Sequence, residues 1–152
     1  MSKLNEMNRR DIIKAASAGA VVLVMPSVAF ATAAQVAEEA KKAFPGKTAV
    51  EGKIKLDLPS IAENGLVVPL NFEVESPMSD ADYVKTVVVY AEGNPNPQIA
   101  QFFFSPMVPK AAAQIRIRLA QTQNIVAFAE MSDGKLYTAK KEVKVTIGGC
   151  GG

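Results

Sequence analysis

The chain has 152 residues, a formal net charge of +2, no histidine and one cysteine. That inventory lacks the usual ligand sets for zinc, copper or haem, and a single cysteine excludes an intrachain disulfide. The small charge gives no electrostatic case for binding nucleic acid or an anionic membrane surface.

The N-terminal stretch Asn8-Arg9-Arg10-Asp11-Ile12-Ile13-Lys14 leads into an apolar run from Ala15 to Met25 and then Pro26-Ser27-Val28-Ala29-Phe30-Ala31. A basic region, a short apolar region and a small-x-small site are the parts of a bacterial export signal, with cleavage expected after Ala31. The apolar run is too short to span a ~30 Å hydrocarbon core unaided. Arg9 and Arg10, followed by two isoleucines and a lysine, match the twin-arginine pattern, whose pathway exports folded proteins. Asn8 stands where Ser or Thr is usual. Removing residues 1–31 takes away the excess positive charge and leaves about 120 residues, enough for one domain with its own core.

From Thr32 to Phe44 the period is helical, with Thr32 as N-cap and Val36, Ala40 and Phe44 on one face. Pro45-Gly46 stops the helix, giving a helical segment over 32–46. The period then changes to two. Lys53 to Leu58 alternates, and Leu66 to Glu75 does so again with Leu66, Val68, Leu70, Phe72 and Val74 inward; Asn64-Gly65 between them is a turn signal. Pro69 cannot donate to a ladder, which places its strand at an edge or on a bulge. Tyr83 to Ala91 is mostly apolar and β-branched, as in a strand buried on both faces.

Asn94-Pro95-Asn96-Pro97 marks a loop, Gln98 to Ser105 a strand, and Ser105 to Pro109 its end. Ala113 to Ala120, Gln123 to Met131 and Leu136 to Ile147 complete the series, the last two joined through Asp133-Gly134. About seven strands with regular turns predict an all-β, immunoglobulin-like antiparallel β-sandwich over 47–147, with a short N-terminal helix. Two side-chain groups stand out. Phe102, Phe103 and Phe104 are consecutive, so at least one points outward, to be covered by a second layer or to anchor a partner. Arg116 and Arg118 share a strand face and either hold an anion or are simply solvated.

The chain closes on Gly148-Gly149-Cys150-Gly151-Gly152. Two glycines on each side of the sole cysteine predict a flexible arm over 148–152, free of side chains that would fold it onto the body. Three extended residues after Ile147 reach roughly 10 Å, enough to carry a thiol into a narrow cleft of another protein. A disordered tail, or a cysteine that links two copies through a disulfide, is the structural alternative. No basic residue lies closer in sequence than Lys144, so a nucleophilic thiol here would be activated by a partner. No catalytic base, phosphate loop or serine-nucleophile motif is present, and no catalytic, cofactor or metal site is assigned.

The twin-arginine stretch Asn8-Arg9-Arg10, the one-domain β-rich body and the terminal Gly148-Gly149-Cys150-Gly151-Gly152 together resemble the SoxY family, the sulfur-carrier subunits of thiosulfate-oxidising systems. The pentapeptide matches the family tail residue for residue, whereas the body matches in general pattern. The resemblance implies a periplasmic SoxYZ heterodimer with a SoxZ-like subunit and a covalent carrier role for Cys150, with Gly148, Gly149, Gly151 and Gly152 as its linker. It also implies transient contacts with a SoxXA-like cytochrome that joins thiosulfate to the cysteine as an S-thiosulfonate, and with a SoxB-like hydrolase that releases sulfate. A sulfane dehydrogenase completes the set where present. On this resemblance the chain is a carrier rather than an enzyme, with no cofactor of its own.

Overall fold

The computed structural model describes residues 29–149, so the export-signal residues Arg9 and Arg10 and the terminal Cys150, Gly151 and Gly152 lie outside the described residues. One helix, α1 (Ala33–Ala43), precedes nine strands: β1 (Ala49–Glu51), β2 (Ile54–Asp57), β3 (Ile61–Asn64), β4 (Val68–Val74), β5 (Val84–Ala91), β6 (Gln98–Phe103), β7 (Ala111–Ile117), β8 (Gln123–Met131) and β9 (Leu136–Ile147). They form two sheets. The larger runs β1-β9-β8-β5-β6, with β3 also on β9; the smaller runs β2-β4-β7.

Helix α1 begins as the sequence predicts. Thr32 accepts from the Gln35 N–H while the Gln35 side chain accepts from the Thr32 N–H, a reciprocal cap that satisfies two otherwise free donors. Its stripe of Val36, Ala40 and Phe44 packs on Val88, Tyr90, Val126 and Leu136 of the larger sheet. The opposite face of that sheet, through Val87, Val89, Ile125 and Ala127, meets Val68, Leu70, Phe72 and Val74 of the smaller one. Strand β5 is thus buried on both faces, which is why its sequence is apolar at nearly every position.

Three expectations are corrected. The sandwich is not wholly antiparallel: β1 and β3, two short strands that the alternation did not reveal, pair in parallel with successive parts of β9. Asn64-Gly65 does form the expected turn before β4, though the chain enters it from β3 and not directly from β2. Strands β2 and β4 do pair antiparallel, but β3 is inserted between them and takes the chain to the end of β9 before it returns. Leu66 therefore falls on that corner and is exposed rather than inward. Pro69 lies in the middle strand of the smaller sheet, opposite Arg116 of β7. It is tolerated because β2 ends at Asp57, opposite Asn71, leaving β4 without that neighbour at Pro69.

The β8–β9 hairpin is as expected. Gly134 takes φ 86° and donates to the Met131 carbonyl, a conformation that favours glycine.

Candidate functional site at the root of the C-terminal segment

The last turn of the fold is built where β9 ends. Its final residues are flanked on one side by β3, with Ala62 opposite Val145 and Asn64 opposite Ile147. On the other side stands the segment that links β7 to β8. There the Thr122 hydroxyl accepts from the Val145 N–H at 2.9 Å. The chain past Ile147 therefore leaves the sheet through a gap between two loops.

Backbone hydrogen bonds close that gap. The Gly65 N–H donates to the Ile147 carbonyl (2.8 Å), the Leu119 N–H to the Gly65 carbonyl (2.7 Å), and the Gly149 N–H to the Leu119 carbonyl (2.9 Å). Three distant pieces of chain are thus joined through main-chain atoms alone. Gly149 is buried in consequence.

This docking revises the role expected of Gly148 and Gly149. A Cβ added at Gly148 would stand 2.1 Å from the Ala120 carbonyl oxygen, and one at Gly149 would stand 2.9 Å from both the carbonyl carbon and oxygen of Gly65. A Cβ at Gly65 would meet the Leu119 oxygen at 2.2 Å and the Gly149 nitrogen at 2.8 Å. None of the three glycines has a left-handed φ. Glycine is needed here because backbones touch, not because the chain must be free. The expectation that nothing holds the segment after Ile147 is therefore corrected for Gly148 and Gly149.

The loop that receives Gly149 is itself braced by two buried amides that no local sequence pattern reveals. Asn94 donates from Nδ2 to the Arg118 carbonyl (2.8 Å), and its Oδ1 accepts from the Ala120 N–H (3.0 Å) and from Gln123 Nε2 (2.8 Å). Gln123 Nε2 also donates to the Gln121 carbonyl, and its Oε1 accepts from the Gly93 N–H. One side chain thus pins the residues on both sides of Leu119, whose own side chain is fully buried in the core. The Asn94-Pro95-Asn96-Pro97 sequence did mark a loop, but it gave no sign that Asn94 points inward.

The other candidate residues fall elsewhere. Arg116 and Arg118 are both exposed, and neither has an ion-pair partner among the described residues. The phenylalanines divide: Phe102 and Phe104 pack on Phe72 at ring separations of 5.0 and 6.4 Å, while Phe103 is 75% exposed. A shallow concavity of about 500 Å³ on the outer face of the smaller sheet is lined by Lys55, Asp57, Asn71, Phe72, Glu73 and Ala112–Gln114, none of them at the root. Among the described residues no group of three or more His, Cys, Asp or Glu side chains is placed to hold a metal ion.

Fold and site together define a one-domain β-sandwich that seats the root of a glycine-flanked, cysteine-bearing C-terminal segment between two of its loops. The chain belongs to the SoxY family: the family model "Sulfur oxidation protein SoxY" matches residues 40–150, a span that ends on Cys150. Among solved structures it is similar to the sulfur carrier protein SoxY from Chlorobium limicola f thiosulfatophilum, at 31% identity and TM-score 0.66, over 76% of this chain and 100% of that one. It is also similar to the superoxide reductase (neelaredoxin) of Ignicoccus hospitalis, at 21% identity and TM-score 0.55, over 76% of this chain and 94% of that one. A putative superoxide reductase from Thermotoga maritima aligns at 12% identity and TM-score 0.56, over 65% of this chain and 93% of that one. The last two likenesses are of fold alone. No curated protein matches the sequence.

Proposed function

We propose that this chain is an exported, periplasmic sulfur carrier that holds thiosulfate-derived intermediates on Cys150 and hands them to partner enzymes. The observation that carries the reading is that the SoxY family match runs through to the sole cysteine, next to a root that the fold seats with three backbone hydrogen bonds. The chain acts as a covalent subunit rather than a catalyst, in a heterodimer with a SoxZ-like protein. It leaves the cytoplasm folded, through the twin-arginine signal at Arg9 and Arg10.

The chemistry balances in two steps. The Cys150 thiol and thiosulfate form a sulfur–sulfur bond and give a cysteine S-thiosulfonate, releasing one proton to water and two electrons that a SoxXA-like cytochrome would accept one at a time. Water then cleaves the bond between the sulfane and sulfonate sulfurs in a SoxB-like hydrolase, releasing sulfate and a proton and leaving a persulfide on Cys150. A sulfane dehydrogenase, where present, oxidises that remaining sulfur. Through both steps the carrier supplies attachment and presentation. Leu66, Val67 and Ile147 are exposed within two residues of the seated backbone and form the apolar surface that a partner taking up Cys150 would meet.

The test is sulfate release from thiosulfate in the reconstituted system. Cys150→Ser is expected to abolish it while keeping the fold and the SoxZ-like partner. Undiminished sulfate release from the serine variant would overturn the proposal.

A further inference from the structure

The seated backbone at the end of β9 has a purpose only if Cys150 is presented to other proteins, so its role rests on the carrier reading. Its existence does not. A carrier thiol has to meet several different pockets, and each entry orders whatever part of the arm is free, at about 1 kcal/mol or more per residue fixed. A root already held by the body shortens the part that must be ordered.

From the geometry we infer that Asn94, supported by Gln123, is a positioning residue for the carrier arm. It fixes the Arg118–Ala120 backbone on which Gly149 docks, and so sets the point from which Cys150 is presented. Among the described residues of the arm, Asn94 bonds to neither Gly148 nor Gly149. It acts through the loop: its amide holds the carbonyl before Leu119 and the N–H after it, and the Leu119 carbonyl between them accepts from Gly149. Gln123 holds Asn94 in turn, bonding both its Oδ1 and the Gln121 carbonyl. All the polar atoms of this brace are engaged, and both residues are almost wholly buried, Asn94 at 2% and Gln123 at 6% exposure. Such a network specifies one loop geometry and loses it when a member is removed. On the other side of the arm, Gly65 closes the seat.

Amide hydrogen exchange of the full mature chain, resolved residue by residue, reads the seat directly, because the Gly149 N–H is protected only while it is docked. In the wild type that amide is expected to exchange well below the rate of an unstructured peptide. Asn94→Ala is expected to accelerate it by about tenfold or more, the scale of losing hydrogen bonds that define a local structure. The amides of β5 and β8 should keep their order of protection. Gln123→Ala, which leaves the bonds from Asn94 to Arg118 and Ala120, should act in the same direction more weakly, and it decides the matter if Asn94→Ala does not fold. Leu70→Ala is the control, since it weakens the core without touching the loop. In steady-state assays with the sulfate-releasing partner, Asn94→Ala should raise the apparent KM for the carrier with little change in kcat.

An unprotected Gly149 amide in the wild type would overturn the inference. So would acceleration in Asn94→Ala no greater than in Leu70→Ala, or an unchanged KM. A thiosulfate adduct on Cys150 is scored separately by mass, so failure of the carrier reading and failure of the seat give different results.

Discussion

Replacing Gly65 with alanine puts a methyl group where three pieces of backbone already meet. The new carbon would lie 2.2 Å from the Leu119 oxygen, 2.8 Å from the Gly149 nitrogen and 3.0 Å from Val145 Cγ1. An ordinary carbon–oxygen contact is about 3.3 Å or longer, so one partner must retreat by about 1 Å. Retreat is opposed from both sides, because Gly65 donates to Ile147 and accepts from Leu119, and Leu119 is anchored in the core. Overpacking of this kind destabilises by about 1–3 kcal/mol, and each hydrogen bond given up adds about 1 kcal/mol. The lower chain entropy of alanine in the unfolded state offsets about 0.4–1 kcal/mol. The net expectation is a loss of roughly 2–4 kcal/mol, which for a domain of this size lowers Tm by roughly 8–16 °C. Gly148→Ala sets up an equally severe contact, 2.1 Å from the Ala120 oxygen, but past the end of β9. There the variant can relieve the clash by undocking, so its Tm should fall by only a few degrees, with about 1 kcal/mol lost with the Gly149 bond. Thermal or urea unfolding of the two variants beside the wild type is the assay. A Gly65→Ala protein that melts with or above the wild type would show that the three backbones are not in contact.

Two further outcomes follow from the cover that α1 places on the larger sheet. Burial against the helix, and secondarily the charge of Glu39, raise the Tyr90 phenol above its ordinary value of 10.0. Because the folded value is the higher one, the associated stability is in place below the unfolded value and is lost as pH rises through the folded one. The difference in urea midpoint between wild type and Tyr90→Phe, followed from about pH 8 to 11, should therefore move against the wild type as pH rises, and a constant difference would contradict the assignment. Thr32→Ala removes the reciprocal cap and should weaken docking of α1 by about 1 kcal/mol, read as faster amide exchange at Val36 and Ala40 with β8 unaffected; equal exchange in both proteins would show the cap contributes nothing.

How much of the fold and site was legible in the sequence depends on the range of each interaction. Helix α1 and the longer strands are set by nearest-neighbour periodicity, and the doubly buried β5 declares itself through its apolar run from Val87 to Ala91. Strands β1 and β3 do not. Each is only three or four residues long, and β3 exposes Ile61 while burying Ala62, the reverse of what size alone suggests. Both exist because β9 offers them an edge, and that partner lies far along the chain, near its C-terminus. The glycines mislead for the same reason. A glycine that allows free rotation and one that allows two backbones to touch look identical in sequence, and the partners that decide the matter, Gly65 and Leu119, belong to loops far from the C-terminus. Asn94 could be read as a loop former from its prolines. Its inward amide depends on Arg118, Ala120 and Gln123, which no local pattern ties to it.

Attachment of sulfur at Cys150 is read from the intact mass of the mature protein. The protein should be purified from its native host without reductant and measured before and after thiosulfate with the native cytochrome fraction, again after reduction, and beside Cys150→Ser. A reducible adduct of thiosulfate or sulfane mass is expected on the wild type and none on the serine variant. A spectrum with only free thiol and disulfide-linked dimer under the same conditions would contradict sulfur attachment at Cys150, and would make the cysteine a cross-link between copies.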